Sequence, residues 1–468
     1  MKRIDDHFCG FLSLGEDEFT YYISDGVVTL LPAYSDPSEQ RNVFERISSR
    51  NIDSSEFIYG LTGYTRVAML RNGKIHTDLL GLDLSAKFAT PLIVQAAGNA
   101  IGYYGRLTEN WDKFHAITFA GGNINAIYNP EMAVMRPNYT DLSKSDGAHT
   151  IKLRPWSDYT HTTDFEIYGE KVTLTITVLQ AENQSISDRI DAYSLGKLNS
   201  SIRFSFENAQ SLDKIEQYYR IAKSLIAILT RQNNIIFETH LSQRGTDNQF
   251  FKSASCKIFD HHENYSLRQW HQTIQLLSIF DYLPNLLKKI AANEVDALLD
   301  ILPDDNKKAN LISISNVQNM CTALEIAYRW SDTHVEKDAL IKELKKSINA
   351  TIADFIEHHN EIDVRRETTI LSAFRYLDYT LKEKIHTLYT ENRDIIDPIT
   401  AKHNLPTITE DSIGEFVKLR NNKTHQGVID WGDSAKIYHP LFALLYSCLL
   451  KSIGVSGDKV KMIVQNIF

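Results

Sequence analysis

The chain has 468 residues, 43% of them hydrophobic and 23% charged, which is typical of a globular protein with two or three domains. Its formal net charge of −9 argues against a broad basic surface for nucleic acid, so any RNA site would have to be a local one. The four cysteines are widely spaced and form no CxxC pair, which excludes the usual zinc patterns and favours reduced thiols in a cytosolic protein.

No targeting or membrane segment is expected. Residues 1–7 lead into no apolar run, so the sequence predicts no signal peptide. Residues 441–450 form the most apolar stretch, but this stretch is too short to span a bilayer and predicts a buried helix. We therefore expect a cytoplasmic protein with no membrane partner.

The first part of the chain predicts short strands separated by polar breaks. Residues 172–178 alternate strictly between apolar and polar side chains, and a turn at Gly169-Glu170 would pair them with a preceding strand. Many short strands favour an antiparallel sandwich or barrel, and we predict a β-rich, sandwich-like domain over residues 1–208. Five runs support this prediction: residues 27–31, 57–70, 164–168, 172–178 and 202–206.

The pattern changes after Asn208 from strands to helices. Residues 211–232 have helical spacing and are followed by two candidate strands, so we predict a mixed α/β connecting region over residues 209–304. A bundle of four or five helices is predicted over residues 305–468, which places the whole chain in the α+β class. The bundle is predicted from stripes of apolar residues at helical spacing: residues 314–328, 341–355, 370–388, 412–426 and 437–453.

The run from Arg420 to His425 is the most informative pattern in the chain. It joins a permanent cation whose planar fork matches phosphate oxygens, an amide at Asn421 and a titratable imidazole. Together these groups can hold a phosphodiester and transfer protons at it without a metal, which suggests RNA cleavage. Lys418 and Lys423 add local positive charge that would bind the substrate.

The bare spacing of Arg and His is weak evidence, because it occurs three times and about one match is expected by chance. Asn72-Gly73 predicts a hairpin turn between Arg71 and His76. Residues 329–334 predict a loop between two helices. Arg420 alone lies inside a helical pattern, so we select the third match.

The helix that carries Arg420 is predicted to begin at a capping box of Ser412 and Glu415. Asn421 and His425 are four residues apart, so they lie on one face of this helix. Arg420 directly precedes Asn421 and lies on the adjacent face. A solvated helix end, with the imidazole favoured by the helix dipole, is the alternative explanation of the same residues.

The C-terminal bundle resembles a HEPN domain of the ApeA type, which is found in bacterial antiphage proteins. The resemblance rests on Arg420-Asn421-x-x-x-His425 in a late helix and on Thr322-Ala323-Leu324-Glu325 in the first helix. The N-terminal half is similar to the β-rich domain that precedes such bundles, through residues 8–12 and through residues 58–62 followed by residues 67–70.

This resemblance implies a ribonuclease that needs neither a metal nor another cofactor and that acts in abortive infection in the bacterial cytoplasm. Arg420, Asn421 and His425 would be catalytic. From its place on a helix that otherwise packs, Glu325 is either a buried partner of Arg420 that supports the site or a solvated side chain. Cleavage would leave a 2′,3′-cyclic phosphate and a 5′-OH. The expected substrate is a cellular tRNA or mRNA, and the expected trigger derives from a phage.

The resemblance also implies a homodimer through the C-terminal bundle, because HEPN domains usually pair their Arg-His helices across a two-fold axis. We expect apolar residues of 370–388 and 437–453 to supply the contact. Two other functions stay open. The first alternative is a non-catalytic HEPN-like protein that serves dimerisation or binds RNA or a nucleotide. The second alternative is a β-sandwich module that senses a ligand and carries an incidental helical tail.

Overall fold

The α+β class predicted from the sequence is confirmed by a computed structural model of the chain. Contacts between residues divide the chain into two compact units. The sheet unit comprises Met1–Ile226 and Asn234–Leu267, and the helical unit comprises Ala227–Asn233 and Arg268–Phe468. The structure describes residues 9–34, 36–49, 56–63, 65–78, 84–97, 110–135, 152–180, 198–259, 270–304, 308, 312–331, 339–358, 380–426 and 436–468.

Strands and helices are numbered here along the described residues. The strands are β1 (Cys9–Leu14), β2 (Asp17–Ser24), β3 (Val27–Pro32), β4 (Glu56–Thr62), β5 (Thr65–Asp78), β6 (Ser85–Ala89), β7 (Leu92–Ala96), β8 (Lys113–Ala120), β9 (Val134–Met135), β10 (Lys152–Leu153), β11 (His161–Ile167), β12 (Glu170–Gln180), β13 (Leu198–Ser211), β14 (Glu238–Arg244) and β15 (Phe250–Ile258). The helices are α1 (Pro37–Ser49), α2 (Ile124–Ile127), α3 (Ile215–Thr230), α4 (Leu283–Ala291), α5 (Asp296–Leu299), α6 (Ile314–Trp330), α7 (Ala339–His358), α8 (Leu381–Glu391), α9 (Arg393–Lys402), α10 (Glu410–Gln426), α11 (Tyr438–Ser452) and α12 (Gly457–Ile467).

Six strands of the sheet unit close into a barrel in the order β5-β4-β1-β2-β3-β6, because β5 pairs with both β4 and β6. The large sheet continues from β5 through β7, β15, β14, β8, β13, β12 and β11. The prediction of a β-rich region is therefore confirmed, but six of its strands form a closed barrel and not the predicted sandwich. Closure leaves these six strands without a free edge.

The barrel has one apolar core to which both strands and helix α1 contribute. Phe19 of β2 and Phe88 of β6 are almost completely buried, and Val43 and Phe44 of α1 lie in the same cluster. The rings of Phe19 and Phe44 are 6.3 Å apart between centroids. Burial of these side chains stabilises the barrel and holds α1 against it.

Asn72-Gly73 forms a bulge inside β5 and not the predicted hairpin turn. The strand continues through these residues, and its pairing with β6 shifts between Asn72 and His76. Gly73 has a φ of +80°, which glycine adopts without strain. The prediction was wrong because β6 pairs with β5 on both sides of the bulge, which a local turn signal cannot reveal.

The predicted hairpin of β11 and β12 is confirmed, but its turn lies one residue earlier than expected. Ile167 pairs with Glu170, so Tyr168 and Gly169 form the turn. Their φ values of +53° and +75° are those of a two-residue type I′ turn. Apolar side chains alternate along β12 from Val172 onward and are buried, as their spacing predicts.

Helix α6 is the central element of a bundle in the helical unit. It packs against α8, α10 and α11, and α8 also packs against α10. Helices α9 and α12 pack against α11 and against each other. The side chains that α6 buries are Ile314, Val317, Met320, Cys321, Ala323, Leu324 and Ala327.

The stripe over residues 370–388 was predicted as one helix, but a helix begins within it at Leu381. The Thr380 hydroxyl accepts a hydrogen bond from the Glu383 N–H, and the Glu383 carboxylate accepts one from the Thr380 N–H at 2.7 Å. This reciprocal pair is a capping box, which starts a helix, so the stripe is not one continuous helix. Residues 370–379 lie outside the described residues.

The apolar stretch at residues 441–450 forms a buried helix, as predicted. These residues belong to α11, and each of them is buried. Among the residues described, no helix combines the length and the apolar character that crossing a membrane requires.

Replacing Gly10 by alanine should destabilise the barrel. An added Cβ would lie 1.8 Å from the carbonyl oxygen of Leu61 on β4, so β1 and β4 would have to separate. Overpacking of this kind costs about 1–3 kcal/mol. We expect the midpoint of thermal unfolding, followed by circular dichroism, to fall. Gly457→Ala is the matched control, because a Cβ there meets no atom within 4 Å. An unchanged midpoint for Gly10→Ala would contradict the close approach of the two strands.

Candidate functional site

Helix α10, which carries Arg420, begins earlier than the sequence predicted. The Thr409 hydroxyl accepts a hydrogen bond from the Ser412 N–H at 3.1 Å, and the Ser412 hydroxyl accepts one from the Thr409 N–H at 2.9 Å. The predicted capping box of Ser412 and Glu415 is therefore wrong. Ser412 is instead the third helical residue of a box that Thr409 opens.

The backbone of α10 is helical as far as Gln426, so Arg420, Asn421 and His425 occupy one continuous helix. Helical spacing puts positions 421 and 425 on the same face, one turn apart. The side chains of Asn421, Lys423 and His425 lie outside the described residues, and their roles stay predictions. The side chain of Lys418 is exposed, as a substrate-binding role requires.

Arg420 continues the face by which α10 packs into the bundle. Ile413 and Phe416 are completely buried, and α10 packs against α6 and α8. Positions 413, 416 and 420 recur at helical spacing, so they form one stripe. The Arg420 side chain is half-buried at the end of this stripe. The packing of two apolar residues therefore fixes where the guanidinium emerges from the bundle.

The electrostatics of Cys321 place Arg420 beside α6. Burial raises the pKa of the Cys321 thiol to about 12. The positive charge of Arg420 opposes that rise in pKa, whereas the carboxylate of Glu325 adds to it. Arg420 and Glu325 therefore lie near the same buried thiol, on α10 and α6 respectively. The thiol itself is protonated at neutral pH and serves packing.

Glu325 has an ion-pair partner that the sequence did not reveal. Lys384 of α8 donates a hydrogen bond to the Glu325 carboxylate at 2.8 Å, and the two side chains are 21% and 28% exposed. The pair is partly shielded from water, which strengthens it relative to a surface pair. A direct contact between Glu325 and Arg420, expected from the sequence, stays a prediction.

In the first of the three Arg–His matches, Arg71 to His76, the arginine has a structural role. Arg71 is only 2% exposed, and its guanidinium lies 3.1 Å from the Glu56 carboxylate. It also donates a hydrogen bond to the carbonyl oxygen of Gly73 at 3.1 Å. The guanidinium is thus buried within the barrel wall, where a polynucleotide phosphate has no access.

The second Arg–His match, Arg329 to His334, begins at the end of a helix. Arg329 belongs to the last turn of α6, and Ser331 follows in an extended conformation. This ending agrees with the predicted loop. His334 lies outside the described residues.

The expectation that α11 supplies a dimer contact is wrong. Its apolar residues lie in the core of the helical unit, where they meet α6, α9 and α12. In α8, Ile385 and Leu388 are buried in the same way. Side chains that fill the core of one subunit are not available to a second subunit, so any interface must use other residues.

No family model, no curated protein and no solved structure matches this chain. Within the described ranges, no group of three His, Cys, Asp or Glu side chains could hold a metal ion. The candidate site consists of Arg420 and its neighbours on α6, α8 and α10.

A double-mutant cycle can establish which cation Glu325 binds. We expect Glu325→Ala and Lys384→Ala to be coupled by about 1 kcal/mol in the free energy of unfolding, because the pair is half-buried and well aligned. Urea denaturation of the two single variants and the double variant measures this coupling. The matched cycle uses Glu325→Ala with Arg420→Ala and should give a smaller coupling. A larger coupling to Arg420 would show that the guanidinium is the principal partner.

Proposed function

We propose that the chain is a metal-independent endoribonuclease with a HEPN-like catalytic bundle of the ApeA type. One observation carries the proposal: α10 runs without a break past Arg420 and His425, while the other Arg–His matches lack this helical setting. A helix holds groups at fixed spacing, which a proton transfer at a bound phosphodiester requires.

The proposed chemistry needs one anion-binding group and one group that moves protons. Arg420 binds the scissile phosphate and stabilises negative charge that develops on its oxygens. His425 removes the proton of the ribose 2′-OH or delivers one to the leaving 5′ oxygen. Attack by the 2′ oxygen leaves a 2′,3′-cyclic phosphate and a 5′-OH. Asn421, one turn before His425, orients the phosphate or the imidazole.

The surroundings of Arg420 support its role as an anion-binding group. The carboxylate near it, Glu325, is already compensated by Lys384. Arg420 therefore keeps positive charge to offer to a phosphate. Its half-buried position lowers the local dielectric constant, which strengthens the attraction between the guanidinium and the phosphate. Lys418 and Lys423 extend the local positive charge along the helix, which suits an RNA strand on a protein of net charge −9.

The biological role that fits this chemistry is bacterial antiphage defence by abortive infection. In this proposal the cell's own tRNA or mRNA is the substrate, and a phage-derived trigger releases the activity. The β-rich region senses the trigger or restrains the bundle until then. A homodimer supplies a second His425, because attack by a 2′-OH benefits from both a base and an acid.

Arg420→Ala and His425→Ala should each abolish RNA cleavage while the fold is retained. Removal of a group that transfers a proton costs about 10²–10⁴ in rate. Cleavage should be followed with labelled RNA in EDTA, and folding by circular dichroism. His76→Ala is the matched control, because His76 belongs to a second Arg–His match but is exposed on β5. Cleavage that survives in His425→Ala removes this residue from the mechanism, and activity that is lost in EDTA points to a metal.

Mixed subunits can test whether the site is shared between two chains. If one cleft uses an imidazole from each subunit, dimers that combine a native chain with a His425→Ala chain should lose more than half of the native rate. If each subunit had an independent site, the mixed dimer would instead keep half of the native rate. Differently tagged chains, co-expressed and purified in two affinity steps, supply the mixed dimer. A fully active monomer in sedimentation experiments would rule out the composite site.

A further inference from the structure

Helix α7 presents an apolar stripe to solvent. Every described side chain of α7 is exposed or half-buried, in contrast to the buried side chains of α6 and α11. Leu344 is 48% exposed, and Ile348 and Ile352 are half-buried. These three positions follow each other at intervals of four, so they lie on one side of the helix. A stripe of this kind is expected to be covered by another helix.

The stripe is symmetric about Ile348. Apolar residues stand at positions 341, 344, 348, 352 and 355, with intervals of three, four, four and three. The stripe therefore reads the same in both directions along the helix. Two copies placed antiparallel with Ile348 at the centre would set position 344 of one copy against position 352 of the other. An isologous contact needs this self-complementarity.

The charges of α7 also favour an antiparallel pair. The first ten residues, 339–348, contain three lysines and one glutamate, whereas residues 349–358 contain one aspartate and one glutamate and no lysine or arginine. An antiparallel arrangement puts the basic half of each helix beside the acidic half of the other. A parallel arrangement puts like charges together. The opposed helix dipoles add to the preference for the antiparallel arrangement.

We propose that α7 is a self-association surface and that its occupant is α7 of a second copy of this chain, antiparallel about a two-fold axis at Ile348. The pairing covers Leu344, Ile348 and Ile352 of both copies. It uses none of the residues assigned to catalysis, so it does not depend on the proposed ribonuclease activity. It replaces α11, whose apolar residues are buried within one subunit, as the source of an intermolecular contact.

Cysteine cross-linking of the full chain tests both the pairing and its direction. The background carries Cys9→Ser and Cys256→Ser, because Cys9 is exposed and Cys256 is half-buried, while Cys321 and Cys448 are buried. Ile348→Cys should give a disulfide-linked dimer under mild oxidation. Leu344→Cys should not link to itself, because two copies of position 344 would be separated by about 12 Å along the pair, beyond the reach of a disulfide.

The mixture of two variants gives the sharpest result. Leu344→Cys chains mixed with Ile352→Cys chains should cross-link to each other, although neither variant does so alone. If position 344 links to itself as readily as position 348, the helices are parallel and the proposal is overturned. If no variant cross-links, α7 does not pair with a second copy, and another protein or another part of the chain covers the stripe.

Sedimentation of substituted full chains provides an independent test. Ile348→Glu places two carboxylates at the two-fold axis and should weaken association at least ten-fold. Ala350→Glu adds the same charge, but helical spacing puts position 350 on the opposite side of α7, and association should not change. Circular dichroism checks that both variants keep their helix content. Equal association constants for the two variants would overturn the proposal, because the stripe would then make no contact.

Discussion

The packing of α6 against α8, α10 and α11 is the constraint on which the candidate site depends. Its buried residues, from Ile314 to Ala327, form the centre of the bundle, and the helices around it can be placed only where they cover these residues. The buried side chains of Ile413 and Phe416 pack α10 against this centre, and Arg420 follows one turn later in the same helix. Lys384 on α8 and Glu325 on α6 are brought together by the same packing. Hydrophobic contacts thus position a small set of charged groups.

The sequence predicted the strands and helices well where the signal was local. Alternation along β12 and helical spacing along α6, α7, α10 and α11 correspond to elements in the structure. Closure of the barrel was not predictable in this way, because it depends on the pairing of β5 with β6 across a bulge at Gly73. Asn72-Gly73 is a strong hairpin signal, yet the non-local pairing of the two strands outweighs it.

For the site, the sequence predicted the helix of Arg420 but not what surrounds it. The contact between Glu325 and Lys384 joins residues 59 positions apart, and no periodicity in the sequence links them. The start of α10 was missed because two capping boxes overlap at Ser412, and the structure uses the one that Thr409 opens. Periodicity also does not distinguish burial within a subunit from burial between subunits. The apolar stripes of α6 and α7 have similar spacing in sequence, although α6 buries most of its stripe and the described side chains of α7 are not buried.

Two proposed contacts between subunits constrain each other through symmetry. A two-fold axis beside α10 would bring two copies of His425 into one cleft, and a two-fold axis at Ile348 would pair two copies of α7. Because a two-fold axis is a straight line, one dimer contains both contacts only if Ile348 and the end of α10 lie along the same line. If they do not, each contact has its own axis and the two contacts together join more than two chains, namely four where the two axes are perpendicular and intersect. The number of chains in the assembly therefore reports whether α7 holds the catalytic dimer together or joins two such dimers.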